Sequence, residues 1–269
     1  MWPDDASCAA CFTFDFDAEE VWIGEDPSNV DRPGVLSQGT YGAKVAVPAI
    51  LDLLARQDVR ATFFVPGRVA ERHPERVKEI VSAGHELALH GYTHRSVTTL
   101  GASEEEEEMR RGLEVLRSFS PDVSGYRSPS WELTPQTLTL VSKYGLMYSS
   151  NLMDDIRPYR HQGTEIVELP ISWVLDDAPH FWFDGASWNR KIATNDEVRS
   201  IWKSELDGIR AMGGAFVLTM HPQIIGRPGR LPLLEEVIGY VRSHRDVWMT
   251  TAHELADFAR RIDDDTTTT

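Results

Sequence analysis

The sequence predicts an α/β protein whose parallel sheet curls into a closed or nearly closed barrel with its helices outside. Three observations predict it. Strand-like and helix-like segments alternate along most of the chain, which is the pattern of parallel βα units. Seven or eight strands fit into roughly 260 residues, a normal complement for a barrel. No G-x-G-x-x-G follows the first strand and no G-x-x-x-x-G-K-[ST] occurs, so the runner-up, an open doubly wound sheet, lacks the loop that would cradle a nucleotide.

The elements follow in order. Residues 8–17 form the first strand, where Phe12, Phe14 and Phe16 alternate with Thr13, Asp15 and Asp17. Residues 24–40 are a long connection rich in Gly and Pro, expected to be a functional loop able to close over a site. Apolar residues at helical spacing place a helix over 43–57, and "RATFFV" places a strand over 60–65. A helix over 74–83 starts with Pro74 in its first turn and stops at Gly84. "ELALH" (86–90) is a strand. Ser103 opens a helix to Phe119, with Glu106 at the capping-box spacing, and the acidic run 104–108 suits a helix N-terminus. Strands are expected near 125–128, 147–150 and 166–171, with a helix from Thr134-Pro135 to Gly145. A helix over 196–212, a strand over 215–220, a helix over 231–244, a strand over 247–250 and a helix over 252–260 complete the series. One domain is expected over 1–269, with its core at about 8–262 and a frayed tail at 263–269.

Composition excludes several classes. The chain is 41% hydrophobic and 26% charged, too apolar for a disordered protein. Its net charge of −15 makes it a poor nucleic-acid binder, since phosphate recognition needs clustered Lys and Arg. No run approaches ~18 apolar residues, so no membrane span is expected. Residues 1–10 carry two aspartates and no basic residue, unlike a secretory signal, so a cytoplasmic location is expected. Cys8 and Cys11 would point to opposite faces of one strand, which argues against a mutual disulfide. They read as small apolar fillers, with a redox pair as the alternative.

The chemistry gathers at strand ends. Asp15 and Asp17 share a face at the C-terminal end of the first strand, the end that forms the mouth of a parallel barrel. Two anions this close would repel, and a bound cation removes that difficulty. Candidate partners lie in "LHGYTHRS", where His90 ends a strand and His94 follows four residues later. Two imidazoles and a carboxylate form a common metal set that leaves positions open for water or substrate. "YRSPSW" adds Arg127, Pro129 and Trp131 at another strand end, and "LTMHP" adds His221.

In this order, Asp-x-Asp, His-x-x-x-His, Arg-x-Pro and Leu-x-x-His, the sequence resembles the polysaccharide deacetylases, the NodB-like group called carbohydrate esterase family four. The resemblance runs from about Phe12 to His253. "DFDAEEVWIG", "HGYTH" and "LDDAPHFWF" look closest to a branch that contains peptidoglycan deacetylase-like proteins and relatives that open allantoin or cyclic imide rings. The resemblance implies a distorted (β/α) barrel with about seven parallel strands, with Asp15 as catalytic base and Asp17, His90 and His94 as metal ligands. It further implies that Arg127 orients the base, that His221 is the general acid oriented by Asp176 or Asp177, and that Pro129 and Trp131 wall the substrate groove. Trp22 and Tyr92, in the same motifs, are further candidates for substrate contact. The metal is usually zinc, with cobalt, nickel or manganese as alternatives. Two features depart from the family pattern: Phe16 separates aspartates that are usually adjacent, and "SPSWE" differs from the usual sugar-groove residues.

The expected function is metal-dependent hydrolysis of a non-peptide C–N bond, in the first place removal of an acetyl group from an N-acetyl sugar. Opening of a small cyclic amide is the alternative, and a non-catalytic carbohydrate-binding barrel is the alternative of another class. The partner is a glycan or a small amide. Relatives suggest a homo-oligomer, with Trp182, Phe183 and Trp188 as interface or substrate-lid residues, and ordinary core packing as the equal alternative for them.

Overall fold

The computed structural model describes residues 2–183 and 191–267. Among these lie nine strands: β1 Cys8–Asp15, β2 Thr62–Val65, β3 Glu86–Leu89, β4 Gly125–Tyr126, β5 Tyr148–Ser149, β6 Tyr159–Arg160, β7 Val167–Glu168, β8 Ala215–Met220 and β9 Val247–Met249. They form one sheet in the order β6-β7-β5-β4-β3-β2-β1-β8, with β9 added to β1. Every pairing is parallel except β6 with β7, an antiparallel edge that the sequence pattern did not reveal. The sheet is a curled half-barrel, as the predicted fold class requires.

β1 is the hub. Its residues 9–14 pair with β8, 13–15 with β2 and 8–10 with β9. The gap between β7 and β8 is crossed by an irregular segment rather than a strand. Leu169 donates its N–H to the Ser149 carbonyl (2.8 Å), Ile171 to that of Leu152 (2.9 Å) and Asp177 to that of Thr219 (3.1 Å). Pro170 stands in this segment, and it has no N–H with which to extend β7. The irregularity matters for the site, because it brings residues 173–182 over the mouth.

Strand alternation sorts the core into two layers. Phe12, Phe14 and Phe16 pack outward under helices with Ile50, Leu54 and Leu206. Ala9 and Cys11 face inward with Phe64, Ala88, Tyr148 and Val217, and Leu255 and Ala256 of the last helix close that inner layer. Cys8 and Cys11 belong to different layers and both are free thiols.

Residues 24–40 are not the open loop expected. They hold the end of a helix (Glu20–Glu25), a 3-10 turn (Pro27–Asp31) and most of a second helix (Pro33–Tyr41), which continues through a π-turn into Val47–Arg56. Each proline starts a helical turn, where its missing N–H costs nothing. Gly39 is there for close approach: a Cβ would lie 2.4 Å from the Ala18 carbonyl carbon. The helix expected from Ser103 runs instead over Ala102–Arg117, and it is Glu104, not Glu106, that reaches back to the cap N–H, here that of Gly101 (2.9 Å). A reciprocal capping box does form elsewhere, between Thr194 and Glu197 at the start of Asn195–Met212. The last helix runs Ala252–Thr267, into the expected tail, while Thr268, Thr269 and Trp188 lie outside the described residues. Among the described residues no helix is long and apolar enough to cross a membrane.

Candidate active site

Asp15, Asp17, His90, His94, Trp131, Asp176 and His221 come together around one cleft of about 500 Å³ at the C-terminal ends of the strands. Asp15 is the last residue of β1, His90 follows β3, Arg127 follows β4 and His221 follows β8. Two residues of this region leave ordinary backbone conformations. Ala18, after Asp17, and His94 itself have φ of +45° and +57°, the left-handed region that non-glycine residues enter only when held there. Gly24 allows this, since a Cβ on it would fall 2.6 Å from the His94 carbonyl oxygen.

Asp15 is held by Arg127. The guanidinium is fully buried, and its Nη1 donates to Asp15 Oδ1 (2.7 Å) and to Thr13 Oγ1 (2.9 Å). Nη2 donates to Ser150 Oγ (3.0 Å), and the group lies over the Phe64 ring at 4.0 Å. Burial by itself would raise the Asp15 pKa; the Arg127 charge and hydrogen bond outweigh it and hold the carboxyl below its ordinary value. Asp15 is therefore an anion, and it is aimed.

Asp17 is the opposite case. It is 0% exposed, and among the described residues neither carboxylate oxygen has a hydrogen-bond partner within ordinary distance. Its Oδ1 lies 3.5 Å from both His90 Nε2 and His94 Nε2. The His90 ring is turned by a bond from Nδ1 to the Arg127 carbonyl (2.7 Å), which leaves Nε2 facing the carboxylate. Burial lowers the pKa of both imidazoles, so they are neutral donors of lone pairs. An orphaned buried carboxylate between two neutral imidazoles is the donor set a borderline divalent cation takes, and one oxygen and two nitrogens lie within 4.8 Å of one another. The residues therefore fit a metal.

His221 stands opposite, with Nε2 3.8 Å from Asp17 Oδ2. Its Nδ1 bonds Asp177 Oδ1 (2.7 Å), and its backbone N–H donates to Asp177 Oδ2 (3.0 Å). Asp176 Oδ1 is farther, at 3.6 Å, and accepts from the Ala178 N–H instead (2.8 Å). Of the two aspartates it is thus Asp177 that grips the ring. Burial alone would lower the His221 pKa, but the charges of Asp176 and Asp177 reverse this and raise it well above normal. That shift favours the protonated ring.

The aromatic predictions divide. Trp131 lines the cleft, stacked on Trp173 with ring centroids 4.2 Å apart, and Trp173 is a wall residue the sequence reading did not name. Trp182 also lines it. Trp22 does not: it stacks behind Trp182 at 5.2 Å. Tyr92 is drawn away from the cleft, because its hydroxyl bonds Glu71 (3.0 Å) and Arg111 (2.6 Å) and the Arg111 guanidinium covers its ring. Pro129 is buried beside Gly91, beneath the wall that Ser130 and Trp131 form.

The acidic run 104–108 contains two residues the sequence reading missed. Glu105 is buried and accepts from Thr134, Gln136 and Thr137. Glu108 accepts the N–H groups of Tyr92 (3.1 Å) and Thr93 (2.7 Å) and the Thr93 hydroxyl (2.7 Å), and so pins the turn between the two histidines. No local signal marks these roles, since the partners of Glu105 lie 29 to 32 residues away in sequence.

A curled, mostly parallel half-barrel with carboxylates and imidazoles at the C-terminal ends of its strands defines an α/β protein whose candidate site lies at the mouth. Comparison supplies the family. Residues 38–149 match the family described as polysaccharide deacetylase. Over 273 residues the chain is 30% identical to a peptidoglycan deacetylase of Helicobacter pylori, with 90% of this chain and 93% of that protein covered. A crystal structure from Mycobacterium smegmatis, provisionally named a polysaccharide deacetylase, superimposes with a TM-score of 0.94 at 40% identity, over 98% of this chain and 93% of that one. The crystal structure of PuuE allantoinase shares the fold, with a TM-score of 0.83 at 24% identity over 95% and 91% of the two chains. The chain belongs to the polysaccharide deacetylase family, a family of hydrolases.

Proposed function

We propose that the protein is a metal-dependent hydrolase of non-peptide amide bonds that removes acetyl groups from N-acetyl sugars. The observation that carries this reading is the convergence, in one cleft, of an arginine-held anion (Asp15), a paired imidazole (His221) and the Asp17–His90–His94 set. When bound, a divalent cation, zinc in the first place, would polarise the amide carbonyl and lower the pKa of the attacking water toward ~7. Asp17, His90 and His94 would hold it. Asp15 takes the proton of the attacking water, and Arg127 keeps that carboxylate ionised and turned toward the cleft. His221 delivers a proton to the departing nitrogen, which leaves poorly as an anion, and Asp177 fixes the ring for that transfer. The stacked Trp131 and Trp173 offer a flat apolar wall of the kind against which a sugar ring packs.

The volume of about 500 Å³ also admits a small cyclic amide, which is the second reading. The test is direct. Metal-reconstituted protein is assayed for acetate release from chito-oligosaccharides beside ring opening of allantoin and succinimide. Acetate release with no ring opening is expected, and the reverse result selects the cyclic-amide reading. Asp15→Asn is expected to keep metal binding by calorimetry and to lose ~10²-fold or more in turnover. Near-wild-type turnover in this variant would remove Asp15 from the role of base. Ligand binding without hydrolysis of any amide would leave a carbohydrate-binding barrel.

A further inference from the structure

Gln223 is a buried polar side chain to which the site described above gives no role. It is 4% exposed, and among the described residues neither its amide nitrogen nor its amide oxygen has a hydrogen-bond partner within ordinary distance. Both Asp17 oxygens are in the same state, and the amide faces them. Burial pushes the Asp17 carboxyl well above its ordinary pKa, while the His221 charge and the Gln223 amide act the other way.

The fold holds Gln223 in place. His221 opens a single helical turn, Pro222–Ile225, in which the Ile224 and Ile225 N–H groups return to the His221 carbonyl (2.8 and 2.9 Å). Ile224 and Ile225 anchor that turn in the outer layer of the core. The π-turn Gly42–Ala46 grips it from another element. A Cβ on Gly42 would lie 3.3 Å from Gln223 Oε1, and one on Gly226 would lie 2.3 Å from the Ala46 Cβ. Tyr41 adds a hydrogen bond from its hydroxyl to the Gly226 carbonyl (2.9 Å). Such widened helical turns recur at functional sites.

An amide fixed beside a ligand carboxylate has a definite use. Asp17 Oδ1 is the oxygen that lies 3.5 Å from both His90 Nε2 and His94 Nε2, so a cation held there would leave Oδ2 buried and without a donor. An unsatisfied Oδ2 either bears the cost of desolvation or swings toward the ion, into a position that water or substrate needs. His221 Nε2 is 3.8 Å from Oδ2, too far for a hydrogen bond, and its proton is required by the departing nitrogen. A neutral amide donates without losing its proton.

We propose that Gln223 is a positioning residue of the metal site, whose Nε2 donates to Asp17 Oδ2 and so keeps Oδ1 as the single ligand oxygen. The inference rests on the metal-dependent reading and deepens it, adding a residue that touches the ligand and not the ion.

Gln223→Met tests this, because it keeps the length of the side chain and removes the donor. Zinc affinity is measured by calorimetry, and urea midpoints are measured on the metal-free proteins. Affinity is expected to fall about tenfold or more, the usual effect of removing support from a ligand, with the metal-free midpoint unchanged. The cobalt-substituted variant is expected to differ from cobalt-substituted wild type in visible absorption, since a freed Oδ2 changes the coordination of the ion. Should Gln223→Met fail to fold, Gln223→Asn, which draws the amide back by a methylene, carries the same expectations. An unchanged zinc affinity or an unchanged cobalt spectrum would overturn the inference. A fall in affinity matched by an equal loss of metal-free stability would also overturn it, marking Gln223 as structural. Wild type that binds no zinc would remove the metal reading itself, whereas wild type and variant that bind zinc equally would remove only the role of Gln223. None of these measurements uses an amide substrate, so their outcome is separate from that of the hydrolysis assay.

Discussion

Asp17 at the mouth and Glu168 at the β5–β7 edge are both 0% exposed, yet the protein treats them in opposite ways. Glu168 Oε1 accepts the N–H groups of Asn151 (2.5 Å) and Leu152 (2.9 Å), and Oε2 bonds His161 Nε2 (2.8 Å). Every lone pair that matters is spent on tying one irregular segment to the sheet. Asp17 has no such bond of ordinary length among the described residues; nitrogens of His90, His94 and His221 lie 3.5 to 3.8 Å from its oxygens, and the Gln223 amide faces it. Burial alone therefore does not mark a functional acid. A satisfied buried carboxylate stabilises the fold, and an unsatisfied one waits for something the chain does not supply.

The sharpest way to break this comparison is to remove each acid and ask what is lost. Asp17→Asn is expected to abolish measurable zinc binding by calorimetry, a drop of ~10³-fold or more, because one of three ligands and the only anion among them is gone. The metal-free variant should be about as stable to urea as metal-free wild type, since burial pushes the Asp17 carboxyl well above its ordinary pKa, toward a neutral form that Asn resembles in size and charge. A loss of more than ~2 kcal/mol in metal-free stability would mean that Asp17 has a structural partner after all.

Glu168→Ala should give the mirror image, with a smaller effect. Two backbone N–H groups and one imidazole lose their acceptor, which is expected to cost about 2–4 kcal/mol of stability in urea denaturation. Zinc affinity should stay within about threefold of wild type. A metal-binding defect as large as that of Asp17→Asn would show that the two regions are coupled and would dissolve the distinction.

The difference between these regions also explains what could be read from the chain. Asp15, Asp17, His90, Arg127 and His221 were legible because each ends or follows an apolar strand, and parallel strands bring such ends to one mouth whatever the detailed geometry. The satisfied acids were not. Glu168 sits in a segment read only as a short strand, and its partners come from a loop 16 to 17 residues earlier in sequence and from His161. Residues 24–40 misled because Pro and Gly mark helix starts and close approaches as well as loops. Tyr92 and Pro129 misled because proximity in a motif does not set the direction of a side chain, and the Glu71–Arg111 pair turns the Tyr92 hydroxyl aside. Trp173 was hidden in the irregular crossing from β7 to β8, where no periodicity operates.

Glu108 lies between the two extremes and sharpens the comparison most finely. Its carboxylate is satisfied, like that of Glu168, but what it satisfies is the turn that carries His94. It touches none of the ligand atoms and acts as a positioning residue. Glu108→Ala is expected to lower zinc affinity by about 10-fold, the usual size of an effect transmitted through a ligand's support, and to cost about 1–3 kcal/mol of stability. Glu108→Gln keeps an acceptor for the turn and should recover most of the affinity. If both variants lose stability while zinc binding stays unchanged, the turn is held by other means, and the backbone at His94, with φ of +57°, must owe its shape to the Gly24 contact alone.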